Sequence, residues 1–171
     1  MKNRRLKLIF SSLISLVLVI GCFWFQTAGS AANPPRGVVT EFYQWYVQNQ
    51  DQARDRFAQQ KAKFDPQFYQ QLVQAFQKNP QDGAWLDFDP FSNTQVSTFR
   101  AVVRASKQYQ ESAEVDVDVY AGLSSTRSTA IPIKVLLVNQ NNQWRISNFV
   151  YMQTWDNLRC WLREINRTSC Q

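Results

Sequence analysis

Ala113-Glu114-Val115-Asp116-Val117-Asp118-Val119-Tyr120 carries the clearest period in the chain: small or branched apolar residues alternate with three carboxylates and a tyrosine. A period of two places the two sets on opposite faces of a strand. Ala113, Val115, Val117 and Val119 are therefore expected to face a core, and Glu114, Asp116, Asp118 and Tyr120 to face water. Upstream, Phe99, Ala101, Val103 and Ala105 alternate with Arg100 and Arg104, predicting a preceding strand. Downstream, a loop around Gly122 to Ser128 turns the chain back into Ile131 to Val138. That run is apolar on both alternating sets and is expected at the centre of the sheet. Asn139 to Gln143 then forms a polar turn into a fourth strand, Trp144 to Tyr151.

Upstream of these strands the period lengthens. Val38, Phe42, Trp45, Tyr46 and Asn49 fall at helical spacing with four of the five apolar, predicting an amphipathic first helix. The more polar stretch from Asp51 to Phe64 has only Ala53, Phe57 and Phe64 on its apolar side, which predicts a second helix lying shallowly on the surface. Asp65-Pro66 supplies an N-cap and a preformed first helical residue for a third helix over Phe68 to Gln77, ended by Asn79-Pro80. Asp156 to Arg167 again has helical character. The expected fold is α+β: N-terminal helices covering one face of a curved, four-stranded antiparallel sheet, with a short C-terminal helix. Residues 38–171 form the single domain and residues 33–37, Asn33-Pro34-Pro35-Arg36-Gly37, a linker.

Residues 1–32 read as a signal peptide or membrane anchor. Lys2, Arg4, Arg5 and Lys7 precede an apolar run from Leu8 to Phe25, which implies export to the periplasm or cell envelope. Ser30-Ala31-Ala32 suits ordinary cleavage, Val19-Ile20-Gly21-Cys22 suits lipidation at Cys22, and the run is also long enough for an uncleaved anchor. The formal charge of +6 comes largely from this segment: it holds four of the 19 basic residues and none of the 13 acidic ones. No clustered basic face remains, so nucleic acid is not an expected partner. Export places Cys160 and Cys170 where disulfides persist, and the two are expected to staple the terminal helix to the tail.

The chain contains no histidine. Its absence removes the usual Ser-His and Cys-His nucleophile pairs, the commonest general base and the commonest transition-metal ligand. Glu114, Asp116 and Asp118 invite a metal reading, but Arg100, Arg104 and Lys134 on the flanking strands predict cross-strand ion pairs instead. No metal or cofactor is expected. The loop Trp85-Leu86-Asp87-Phe88-Asp89-Pro90-Phe91-Ser92-Asn93 interleaves aromatics with two carboxylates between helices and sheet. It reads either as a binding surface or as turn chemistry whose aromatics plug the core. Trp155 and Trp161, with Tyr151 and Arg159, form a second candidate surface, unless they pack a terminal helix.

The Val-Val-x-x-Phe-Tyr-x-Trp-Tyr helix (Val38 to Tyr46), the Asp89-Pro90-Phe91-Ser92 loop and the Trp144-x-Ile146…Val150-Tyr151 strand together resemble a bacterial envelope family of unknown function. That family includes the YbjP-type lipoproteins, and the resemblance covers roughly Val38 to Tyr151. It implies a cone-shaped fold similar to nuclear-transport-factor-like (NTF2-like) and cystatin-like domains, with a strongly bent sheet, and an accessory role in contact with other envelope components. It brings no catalytic residues. The expected function is a non-catalytic binding or accessory module for an envelope protein partner or a small ligand. Trp85, Asp87, Phe88, Asp89, Phe91 and Tyr151 are the candidate contacts. The alternative is a small pocket hydrolase or isomerase with Asp87 or Asp89 as general acid/base.

Overall fold

The computed structural model describes residues 33–166. The order is α1 (Pro35–Asn49), α2 (Ala53–Arg56), α3 (Pro66–Phe76), β1 (Ser97–Gln108), β2 (Ser112–Gly122), β3 (Ser128–Gln140), β4 (Gln143–Tyr151), β5 (Asp156–Asn157) and α4 (Leu158–Ile165). The class is α+β, with one open antiparallel sheet in the order β1-β2-β3-β4-β5. Expectations on residues 1–32, and on Cys170, lie outside the described residues. Among the described residues no helix is long and apolar enough to cross a membrane.

Period two decides β2 as expected: Ala113, Val115, Val117, Val119 and Ala121 are buried. Ile133, Val135 and Leu137 of β3 and Trp144, Ile146, Phe149 and Tyr151 of β4 extend the same buried face. The opposite face is charged, and Glu114 and Asp118 are paired across strands. Lys134 Nζ lies 2.7 Å from Glu114 Oε2, Arg104 pairs with Asp118, and the Arg100 guanidinium sits 3.7 Å from the centre of the Tyr120 ring. Among the described residues no three Cys, Asp or Glu side chains gather where they would hold a metal ion.

Several expectations need correction. The sheet has five strands, not four, because the chain folds back through Met152 to Trp155 and pairs Asp156 with Tyr151 and Asn157 with Val150. The final helix consequently starts at Leu158, where the Asn157 side chain caps the Arg159 N–H at 3.0 Å. Residues 35–37 belong to α1 rather than to a linker, since Pro35, with its φ preset, occupies the first helical turn. In place of a second continuous helix the chain makes a 3-10 turn at Gln50–Gln52, the short α2, and 3-10 winding over Phe57–Lys63. Its three apolar residues are not shallow: Ala53, Phe57 and Phe64 are all buried. In β1 the register slips between Thr98 and Arg100 and between Val103 and Ser106, so Thr98 is buried while Ala105 is exposed.

The helices and sheet meet in an aromatic cluster centred on Phe91. Its ring lies 5.0 Å from Phe42, 5.5 Å from Tyr46, 5.6 Å from Phe57 and 5.6 Å from Phe149, centre to centre, with Phe64 and Phe76 slightly farther off. Asp65 fastens the other end of the helical layer. Its side chain caps the Phe68 N–H at 2.9 Å, accepts from Gln140 at 2.9 Å and pairs with Arg159 at 3.0 Å. Truncating so central a ring leaves a cavity that its neighbours cannot fill together. Phe91→Ala should lower unfolding free energy in urea by about 3–5 kcal/mol; a loss under about 1 kcal/mol would contradict its central place.

Candidate functional site

The segment Trp85 to Ser97 holds little regular structure, yet it is tied down at almost every step. Leu86 is buried, and Arg54 Nη2 donates to the Leu86 and Phe88 carbonyls at 3.3 and 3.4 Å. Gln95 Nε2 donates to the Asp87 carbonyl at 3.0 Å. Asp89 then starts a tight turn: its Oδ1 accepts the Phe91 N–H at 2.8 Å, and its own carbonyl accepts the Asn93 N–H at 2.8 Å. Asn93 takes the left-handed conformation (φ 53°) that closes the turn. Two buried tyrosines hold the far side, Tyr151 donating to the Pro90 carbonyl at 2.9 Å and Tyr43 to the Phe91 carbonyl at 3.0 Å.

These restraints divide the expected site residues into two groups. Phe91 (1% exposed) and Tyr151 (2% exposed) face the core and shape the loop from beneath. Trp85, Asp87, Phe88 and Asp89 instead line an open groove of about 610 Å³, together with Gln50, Asp51 and Arg54 from the turn after α1. Trp85 is 38% exposed, and Phe88 packs edge-on against Tyr151 and Trp161 at 5.9 and 6.3 Å. A smaller recess of about 250 Å³, lined by Asp55, Phe76, Asp89 and Pro90 among others, adjoins it through Gln50, Asp51, Arg54 and Asp89, which line both.

Asp89 is the one carboxyl of the groove with a distinct environment. Burial pushes its pKa up, while the Phe91 N–H, the Tyr46 hydroxyl and the Arg54 charge act in the opposite direction without cancelling it. Burial likewise drives the Tyr46 hydroxyl, which also contacts Thr98 Oγ1 at 3.2 Å, far above the ordinary phenol value.

Gln50, Asp51 and Arg54 were not among the residues expected at the site. They lie more than thirty positions before the loop in sequence. The break in helical period after Asn49, where polar residues replace the apolar stripe, is the signal that marks them. In the second candidate surface, Trp161 is half-exposed on α4 and touches Phe88, whereas Trp155 is 70% exposed in the turn before β5 with φ 59°. Arg159 points away to Asp65. Cys160 lies on α4, and its expected partner Cys170 is outside the described residues.

A carboxyl whose folded pKa is raised lets the native state keep a proton that the unfolded chain has released. Its contribution to stability is therefore lost as pH rises from the usual carboxylate value through the raised folded value, and is level above both. Asp89→Asn retains an oxygen for the Phe91 N–H and should flatten that fall when urea midpoints are compared across the acidic range. An unchanged pH profile would contradict the assigned shift.

The chain matches no protein-family model, no curated protein and no solved structure.

Proposed function

We propose that this domain is a non-catalytic binding module of the bacterial cell envelope, exported by residues 1–32 and taking its ligand in the groove between the turn after α1 and the Trp85 to Ser97 loop. The observation that carries this reading is the groove itself: a concavity of about 610 Å³, within the size range of small-ligand sites, whose walls are held by hydrogen bonds to buried or helical groups. Asp51, Asp87 and Asp89 line it with a single cation, Arg54, whose guanidinium is engaged by the loop carbonyls. With Trp85 and Phe88 beside them, these carboxylates suit a ligand that joins a positive charge to an apolar body, because an aromatic face and a carboxylate both favour a cation. An ammonium-bearing small molecule, or a basic side chain offered by an envelope protein partner, has that chemistry.

The same reading takes the chain as kin to the YbjP-type envelope family, with its helices seated in a bent, NTF2-like or cystatin-like sheet and its groove near the open end. Retention by a lipid on Cys22, and a Cys160–Cys170 staple, accord with export. A second reading, a small hydrolase or isomerase, is favoured by one observation: burial raises the Asp89 pKa toward the range useful for a general acid/base. Against it, Asp89 Oδ1 is occupied by the Phe91 N–H, and no histidine is present to share the proton transfer.

Arylalkylammonium probes should raise the melting temperature, whereas the matching arylalkyl carboxylates should not. Trp85→Ala and Asp87→Asn, both at exposed positions, should each remove most of that shift while leaving the ligand-free melting temperature within about 2 °C, as surface substitutions do. Equal response to anions and cations, or full response in both variants, would count against the groove as the site. Turnover of an ester or ketone probe that disappears in Asp89→Asn would favour the enzyme reading.

A further inference from the structure

β1 is an outer strand of an open sheet, so one side of its backbone has no neighbouring strand. Part of that side is closed by side chains. The Gln50 carboxamide accepts the Thr98 N–H at 2.6 Å and donates to the Thr98 carbonyl at 2.7 Å, the pair of bonds that a strand residue opposite would make. Further along, Arg36 Nη2 donates to the Val103 carbonyl at 3.2 Å. Between these two fastenings Arg100 to Val103 pair regularly with β2, and the register breaks on either side. Among the described residues nothing else bonds the outer side of that stretch.

Beside it runs a second groove, of about 490 Å³, between α1 and β1. Tyr43 and Val47 from α1 and Phe99, Ala101 and Val103 from β1 contribute its apolar walls. Arg36 and Arg100 line it too, and no carboxylate does. Arg36 gives one N–H to the Val103 carbonyl and Arg100 lies over the Tyr120 ring, but neither guanidinium meets a carboxylate among the described residues, in contrast to Arg104, which pairs with Asp118.

We infer that this groove receives an extended, acidic peptide segment of a protein partner, which adds to β1 as a further strand. Its backbone takes those polar groups of Arg100 to Val103 that neither β2 nor Arg36 bonds, its alternate side chains rest on the apolar walls, and its carboxylates meet the remaining N–H groups of Arg36 and Arg100. A second copy of this chain is a poorer occupant. β1 carries Arg100, Arg104 and Lys107 and no acidic residue, so antiparallel self-pairing would set like charges across the new ladder. Gln50 at one end and the Val103/Ser106 irregularity at the other limit the length that can pair, which keeps a long bare edge from recruiting strands indiscriminately. The two grooves share no lining residue, so this inference stands apart from the proposed ligand site.

The test uses the full-length chain, isotopically labelled, with two end-blocked peptides: one alternating glutamate and valine, the other with lysine in place of each glutamate. The glutamate peptide should shift the amide resonances of Phe99 to Val103 and slow exchange of the amides it pairs with by about tenfold, leaving Trp85 to Asn93 unmoved. Arg36→Gln combined with Arg100→Gln alters only exposed positions and should weaken the peptide by about fivefold, with changes in the ligand-free spectrum confined to the neighbours of Val103 and Tyr120. Equal binding of the lysine peptide, no effect at Phe99 to Val103, or undiminished binding by the double variant would each overturn the inference. Shifts confined to Trp85 to Asn93 would overturn it while supporting the other groove.

Discussion

The burial of Phe91 is the constraint on which the other features rest. One ring contacts aromatic residues from α1, α3, β4 and the winding segment between α2 and α3. The edge-on and stacked arrangements are those that aromatic quadrupoles favour. Because Phe91 sits in the middle of a long connection, its anchorage fixes that connection more firmly than regular structure would. Tyr43 and Tyr151 then satisfy the carbonyls that the buried turn would otherwise leave without partners. A connection with little regular structure thus becomes a wall.

What the wall offers follows from where the charges end up. On the outer face of the sheet, Glu114 and Asp118 meet Lys134 and Arg104 across strands, and Arg100 lies over the Tyr120 ring. At the groove beside Trp85 the balance tips to carboxylates, because Asp51, Asp87 and Asp89 line it with one cation, Arg54. At the groove beside β1 the balance tips the other way, toward Arg36 and Arg100. The two concavities therefore differ in the charge of their linings, and the short segment Gln50 to Arg54 lies between them, bonding Thr98 on one side and the Leu86 and Phe88 carbonyls on the other.

The sheet was legible wherever one residue per position sufficed. Val115, Val117 and Val119 point inward because period two allows no other arrangement once one face is buried. The alternation puts Ala105 inward, but a bulge between Val103 and Ser106 changes which residue faces the core without altering composition, and Ala105 is exposed. β5 is two residues long and leaves no periodic trace. Phe57 and Phe64 looked superficial because a polar stretch was assumed to wind as one α-helix; three residues per turn and an extended Phe64 bring both inside. Among the site residues, Phe88 and Phe91 are indistinguishable in sequence, being aromatics beside Asp89 in one loop. Only long-range packing makes one a groove lining and the other a core. For Asp51 and Arg54 the break in period after Asn49 marks the end of a helix, but not the loop reached after α3 that they face.

Amide hydrogen exchange through the Asp89 to Thr94 turn tests most directly whether burial of Phe91 makes this loop a fixed wall. The Phe91 and Asn93 amides, bonded within the turn, should exchange only as slowly as Val135 at the centre of the sheet, by global unfolding. Exchange through local opening, orders of magnitude faster than at Val135, would show that the turn lifts off the core and that the groove is not a preformed site.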